Sequence, residues 1–132
     1  MSKTDEKWTK DSLALAKLRN YIIDPANGTT ITWIDAVYKE LDTVNEGELI
    51  NISWRFKNTG NKPLVIANTE TSCGCTVVEK PKKTVAPGSE GIIKVKFNSK
   101  HLQGWQRKDV HVLLNNKGNL IQTLSFAVNV MK

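Results

Sequence analysis

From Glu48 to Asn58 apolar and polar side chains alternate without a break, with Ile50, Ile52, Trp54 and Phe56 on one side and Asn51, Ser53, Arg55 and Lys57 on the other. A period of two marks an extended strand with one face buried and one face wet. That apolar face needs a cover, and the remainder of the chain supplies it in the same form. Thr29 to Asp35 reads as a first strand with Ile31 and Trp33 on one face, Pro63 to Thr71 as a third and Thr76 to Glu79 as a short fourth. Gly91 to Asn98 opposes Ile93, Val95 and Phe97 to Lys94 and Lys96. Lys108 to Asn115 carries Val110, Val112 and Leu114, and Leu120 to Val130 carries Leu124, Phe126, Val128 and Val130. Turn signals lie between them: Ala86-Pro87-Gly88 inside a patternless loop from Lys80 to Gly91, and a hairpin connection at Asn116-Lys117-Gly118-Asn119. Each strand buries one side only, so two sheets must stack to cover Trp33, Trp54, Phe56, Phe97 and Phe126. The expectation is an all-β fold, an antiparallel sandwich of about seven strands.

Ahead of the strands the period is different. Between Asp5 and about Ile23, Trp8, Leu15, Leu18 and Ile22 recur near helical spacing, and Asp24-Pro25-Ala26-Asn27-Gly28 ends the run. Residues 1–28 are therefore expected to form a tether and an α-helix, and residues 29–132 the sandwich. At 132 residues the chain has the length of one ordinary domain. The formal charge is +6, but the basic residues are spread from Lys3 to Lys132 rather than clustered, so no nucleic-acid partner is expected. No apolar run approaches the roughly 18 residues of a membrane span, and none has the form of a secretory leader. The polar start, Met1 to Lys7, looks like the tether that follows the lipid-modified cysteine of an exported lipoprotein, with Met1 in the place of that cysteine.

The chemistry concentrates at Cys73-Gly74-Cys75, delivered by the end of a strand. In an extended strand residues i and i+2 lie about 7 Å apart, at the limit of a disulfide, and Gly74 allows a turn that brings the sulfurs together. Such a small ring adds only about 1.5 kcal/mol of chain constraint, so a bond here suits a redox element better than a staple. Two thiolates also suit a soft ion such as Cu(I), to which His101 or His111 could add a ligand; His111, between Val110 and Val112, faces solvent by parity. A third reading makes the thiols small packing residues at a tight corner. Nothing resembles a nucleophile with a general base, Asp109 and Glu79 read as solvated acids, and Cys-Gly-Cys lacks the helix that activates Cys-x-x-Cys oxidoreductases. No enzyme and no cofactor are expected. Trp105, beside Arg107 and Lys108, reads as a core residue.

Phe56-Lys57-Asn58-Thr59-Gly60-Asn61-Lys62-Pro63-Leu64-Val65-Ile66, then Ser72-Cys73-Gly74-Cys75-Thr76, then Ala86-Pro87-Gly88, resemble a bacterial family, domain of unknown function family 1573, frequent in Bacteroidetes. The resemblance spans roughly Thr29 to Val130 and makes Asn58, Gly60, Pro63, Ser72, Gly74, Thr76, Pro87 and Gly88 its motif residues. Where members usually carry aromatic-Gly-Thr-Ile, this chain has Leu41-Asp42-Thr43-Val44. The family is similar to the ASH, major sperm protein and PapD-like domains, which implies a seven-stranded immunoglobulin-like sandwich. It also implies exported, often lipid-anchored proteins of the periplasm or cell envelope, and no particular activity. The leading expectation is a non-catalytic binding or scaffold module of the envelope with a protein partner. The alternative is a periplasmic thiol protein using Cys73 and Cys75 as a redox-active disulfide or a Cu(I) site.

Overall fold

The computed structural model describes residues 16–71 and 73–132. Two sheets face one another. The first runs β1 (Ile31–Trp33), β4 (Leu49–Asn58), β7 (Glu90–Asn98) and β6 (Thr76–Glu79) in spatial order. The second runs β2 (Tyr38–Glu40), β9 (Ile121–Met131), β8 (Gly104–Leu114) and β5 (Ile66–Thr71), with β3 (Val44–Asn45) also paired to β9.

The alternating residues meet as their parity requires. Trp54, Phe56, Ile93, Phe97, Val110, Val112, Leu114, Leu124, Phe126 and Val128 are all fully buried between the sheets. Phe126 of one sheet packs against Phe97 of the other at 5.3 Å, edge to face, and against Trp54 at 6.4 Å. Each such ring contributes on the order of 2 kcal/mol through burial. Ile31 and Trp33 pack on the same core. Along one open side of the sandwich, Lys39 on β2 reaches across to β4: its Nζ donates to the Ser53 carbonyl at 2.6 Å and sits 5.7 Å from the Trp54 ring.

Three expectations need correction. The described strands number nine rather than seven, because β2 and β3 were missed. Three and two residues long, they are too short to display a period, and each contacts the core through one flanking or internal side chain, Leu41 and Val44. Both run parallel to β9, with Tyr38 opposite Ser125 and Val44 opposite Val130, so the sheets are not purely antiparallel. Finally, β8 begins at Gly104 instead of Lys108, and Trp105 is 62% exposed rather than core. Val110, Val112 and Leu114 point inward, so an odd-numbered residue on the same strand must point outward.

Residues 16–23 are helical and cover part of the second sheet's outer face: Ile22 is buried with Val65 and Ala67, flanked by Leu18, Tyr21 and Leu113. This explains why Leu64, Val65, Ile66 and Ala67 are buried without alternation. The expected contributions of Trp8 and Leu15 lie outside the described residues. No described helix is long and apolar enough to cross a membrane. Asp42 keeps a negative φ, so the glycine expected at that position is not required for the backbone to turn there.

Candidate functional site

The motif residues separate to opposite ends of the sandwich. Asn58, the last residue of β4, is fully buried, and its side chain is saturated. Oδ1 accepts from the Thr29 hydroxyl at 2.7 Å and the Gly60 amide at 3.1 Å, while Nδ2 donates to the carbonyls of Lys62 (2.7 Å) and Val85 (2.9 Å). Its own amide donates to Ser89, and its carbonyl accepts from Gly88. Asn115 does the same for the neighbouring loops: Oδ1 accepts from the Val65 amide, and Nδ2 donates to the carbonyls of Asn27 and Pro63.

The small residues around this clasp are dictated by space. A Cβ on Gly60 would lie 2.6 Å from the Thr30 nitrogen and closer still to the Thr29 hydroxyl. Gly88 has φ +82° at the third position of the turn Ala86-Pro87-Gly88-Ser89, closed by the Ser89 amide on the Ala86 carbonyl at 3.0 Å. Proline then glycine is the sequence that a type II turn requires. Asn58, Gly60, Pro63, Pro87 and Gly88 are thereby placed in a structural clasp.

Cys73 and Cys75 sit at the other end, where the chain crosses from the edge strand of one sheet, β5, to the edge strand of the other, β6. Ser72 lies outside the described residues. The two sulfurs are joined in a disulfide, with the Cα atoms 5.2 Å apart, inside the distance of an extended i, i+2 pair. A turn achieves this: the Thr76 amide donates to the Cys73 carbonyl at 3.2 Å, and the Asn98 amide to the Cys75 carbonyl at 2.8 Å. The expected role of Gly74 needs revision. Its φ is not in the left-handed region, and among the described residues other than the two cysteines no heavy atom lies within 4 Å of where a Cβ would be, so neither backbone nor packing there demands glycine. Thr76 is buried, its hydroxyl 3.8 Å from the Cys75 sulfur.

Both cysteines are half-buried, and their surroundings differ. Cys75 packs against the core and borders a surface groove of about 360 Å³ shared with Leu49, Val77, Lys96, Lys100 and His101. His101, whose position the sequence left undetermined, is thus at the cysteine end, on a turn that gives it φ 66°. His111 is exposed on the outer face of the second sheet and bonded to Thr123 at 3.0 Å, as its parity predicted, and it lines none of this groove. With the sulfurs joined, neither is a thiolate, and no cluster of three or more His, Cys, Asp or Glu side chains fit for a metal occurs among the described residues.

The groove does not end at the cysteines. Val77 and Lys96 also line a depression of about 510 Å³ over the outer face of β4, β6 and β7, which in turn shares Glu79, Ile92 and Lys94 with a third depression under the Lys80–Gly91 loop. Through these shared residues the three depressions adjoin along the first sheet, and this trough gathers Lys82, Lys83, Lys94, Lys96 and Lys100 against Glu79 and Glu90, while the Lys80 ammonium is bonded to the Ile66 carbonyl at 3.1 Å. Sequence reading missed the trough. The outward parity of Lys94 and Lys96 was visible, but not that a loop 80–83 folds back beside them.

On the same outer face, beside β1, Asp35 accepts from the Arg55 amide (2.8 Å), Nε (3.1 Å) and Nη2 (2.9 Å), and these bonds hold its carboxyl well below its ordinary value of 3.8. Arg55 is raised in turn. This perturbed acid is consumed by a strand-to-strand tie. Asp109 accepts from the Ser125 hydroxyl at 2.6 Å, near Arg107.

Residues 31–130 match the model of a family described as a protein of unknown function (DUF1573). No curated protein matches the chain. Among solved structures, a protein of unknown function from Porphyromonas gingivalis W83 superposes with TM-score 0.69 at 13% identity, over 80% of this chain and 48% of that one. The chain thus spans about half the length of that protein. The ASH / PapD-like domain of human CEP192 gives TM-score 0.64 at 7% identity, over 80% of this chain and 88% of that domain. The secreted serine protease VesC from Vibrio cholerae gives TM-score 0.57 at 12% identity, over 84% of this chain but only 25% of the protease. At these identities the likeness is one of fold.

Proposed function

The chain belongs to the DUF1573 family, and from that premise we propose that it is a non-catalytic binding or scaffold module of the bacterial cell envelope, exported and held by a lipid anchor in its precursor. Its partner is a protein, and the surface offered is the trough along β6 and β7. The observation that carries this reading is the lysine row, five lysines with two glutamates lining three adjoining depressions. Such a field favours an acidic, extended segment, steering it on approach and fixing its register. The strand β6 at its margin is a sheet edge, and the exposed side chains of Val77 and Leu49 supply apolar contact.

Support comes also from the fold. A PapD-like sandwich whose buried Asn58 and Asn115 side chains are spent on holding loops is the architecture of a module that presents surface. The trough lacks the aromatic platforms that single-stranded nucleic acids stack on; exposed Trp105, and Tyr38 with Arg107 over its ring, belong to the other sheet.

The test is site-specific photo-crosslinking in cells, with the probe at Val77 in the trough or at Asn61 at the clasp end. An envelope protein captured from Val77, not from Asn61, and lost on Lys94→Glu with Lys96→Glu, is the expected result. Equal capture from both positions would overturn the reading.

A further inference from the structure

The Cys73–Cys75 ring lies where a bridge is not needed for connection. β5 and β6 are already joined by the four residues 72–75, and the corner is held by the bonds from the Thr76 and Asn98 amides. Around the ring, however, the two sulfurs are treated differently. The Cys75 amide donates to the Cys73 sulfur at 3.2 Å. Cys75 is the one that borders the groove with Lys96, Lys100 and His101.

We propose that this disulfide is a thiol-exchange site for anionic thiols of low molecular weight, with Cys75 as the sulfur attacked. The groove, about 360 Å³, has the size of a small-molecule site, and its cations draw in a negatively charged thiol. The thiolate comes from the groove and attacks the Cys75 sulfur in line with its bond to Cys73. A new sulfur–sulfur bond forms to Cys75, the Cys73–Cys75 bond breaks, and its electron pair leaves on Cys73. The hydrogen bond from the Cys75 amide stabilises that departing thiolate, and a stabilised leaving thiolate departs faster. Attack in the reverse sense would place the leaving charge on Cys75, whose side chain packs against the apolar core.

A second thiol then attacks the mixed disulfide at the incoming sulfur and Cys75 leaves; its apolar packing makes this the slower step, so the mixed disulfide on Cys75 accumulates. In sum, two small thiols become one symmetrical disulfide, and their two electrons and two protons end on Cys73 and Cys75. This inference is independent of the protein-binding reading and survives its failure.

The experiment uses the intact oxidised protein with two probe thiols, anionic glutathione and cationic cysteamine. Reactions are quenched by alkylation and read by mass spectrometry, with peptide fragmentation locating each modification. Each rate is divided by that of the same thiol with a small cyclic disulfide. Expected are a glutathione adduct on Cys75, alkylation on Cys73, and a roughly tenfold preference for glutathione that Lys96→Glu with Lys100→Glu removes. Circular dichroism confirms that this surface variant is folded. An adduct confined to Cys73, equal normalised rates for the two thiols, or no reaction with millimolar glutathione would each overturn the proposal.

Discussion

The two ends of the sandwich carry parts of one sequence motif and have opposite designs. At the clasp end, a single buried asparagine satisfies four hydrogen-bonding partners with its side chain, and a glycine is there because the Thr29–Thr30 backbone occupies the space of a Cβ. At the cysteine end, the glycine has open space around it, the sulfurs are half-buried, and a groove runs away between lysines. Residues of one motif therefore need not share a role. Asn58 and Gly60 hold loops together; Cys73 to Cys75 shape a surface.

Asn58→Ala is the severest way to probe that contrast. It leaves two buried carbonyls, an amide and a hydroxyl without their partner, so a loss of about 3 kcal/mol or more is expected in urea unfolding. A loss below about 1 kcal/mol would remove the clasp from the account. Next in size is a matched pair of glycine substitutions. Gly60→Ala should cost about 2 kcal/mol by forcing β1 away, whereas Gly74→Ala should stay within about 0.5 kcal/mol. Equal effects would erase the distinction between the two ends.

Joint replacement of Cys73 and Cys75 by serine comes third. The ring constrains so few residues that the expected loss is about 1.5 kcal/mol or less, and capture from Val77 should persist. Unfolding of this double variant would instead make the cysteine corner structural.

The smallest effect concerns acid. The Asp35 carboxyl has a folded pKa depressed below 3.8, so the stability it contributes is present above that value and is lost as pH falls through its folded value. Asp35→Asn should therefore narrow the stability difference between neutral pH and pH values below about 4, leaving the thiol chemistry at the other end unchanged. An unaltered acid limb of the stability curve would show the Arg55 tie to be inconsequential.

Much of the fold was legible in the sequence because alternation reports directly on which side chains face the core. Ile52, Trp54, Phe56, Ile93, Val95 and Phe97 are buried as their parity required. Strands β2 and β3 were not legible, since two or three residues cannot display a period and their partner strand is far along the chain. Trp105 was misread through hydrophobicity when parity pointed outward. The cysteines were found by their spacing, but the lysine trough depends on how separate segments are brought side by side, which local pattern does not encode.

Amide hydrogen exchange on the native protein tests the contrast between a closed end and an open end most directly. The amides of Asn58, Val65 and Gly88 should exchange only through global unfolding, with opening energies equal to the urea value, while those of Cys75 and Lys100 exchange through local opening far sooner. Equal protection at the two ends, or faster exchange at Asn58 than at Cys75, would contradict it.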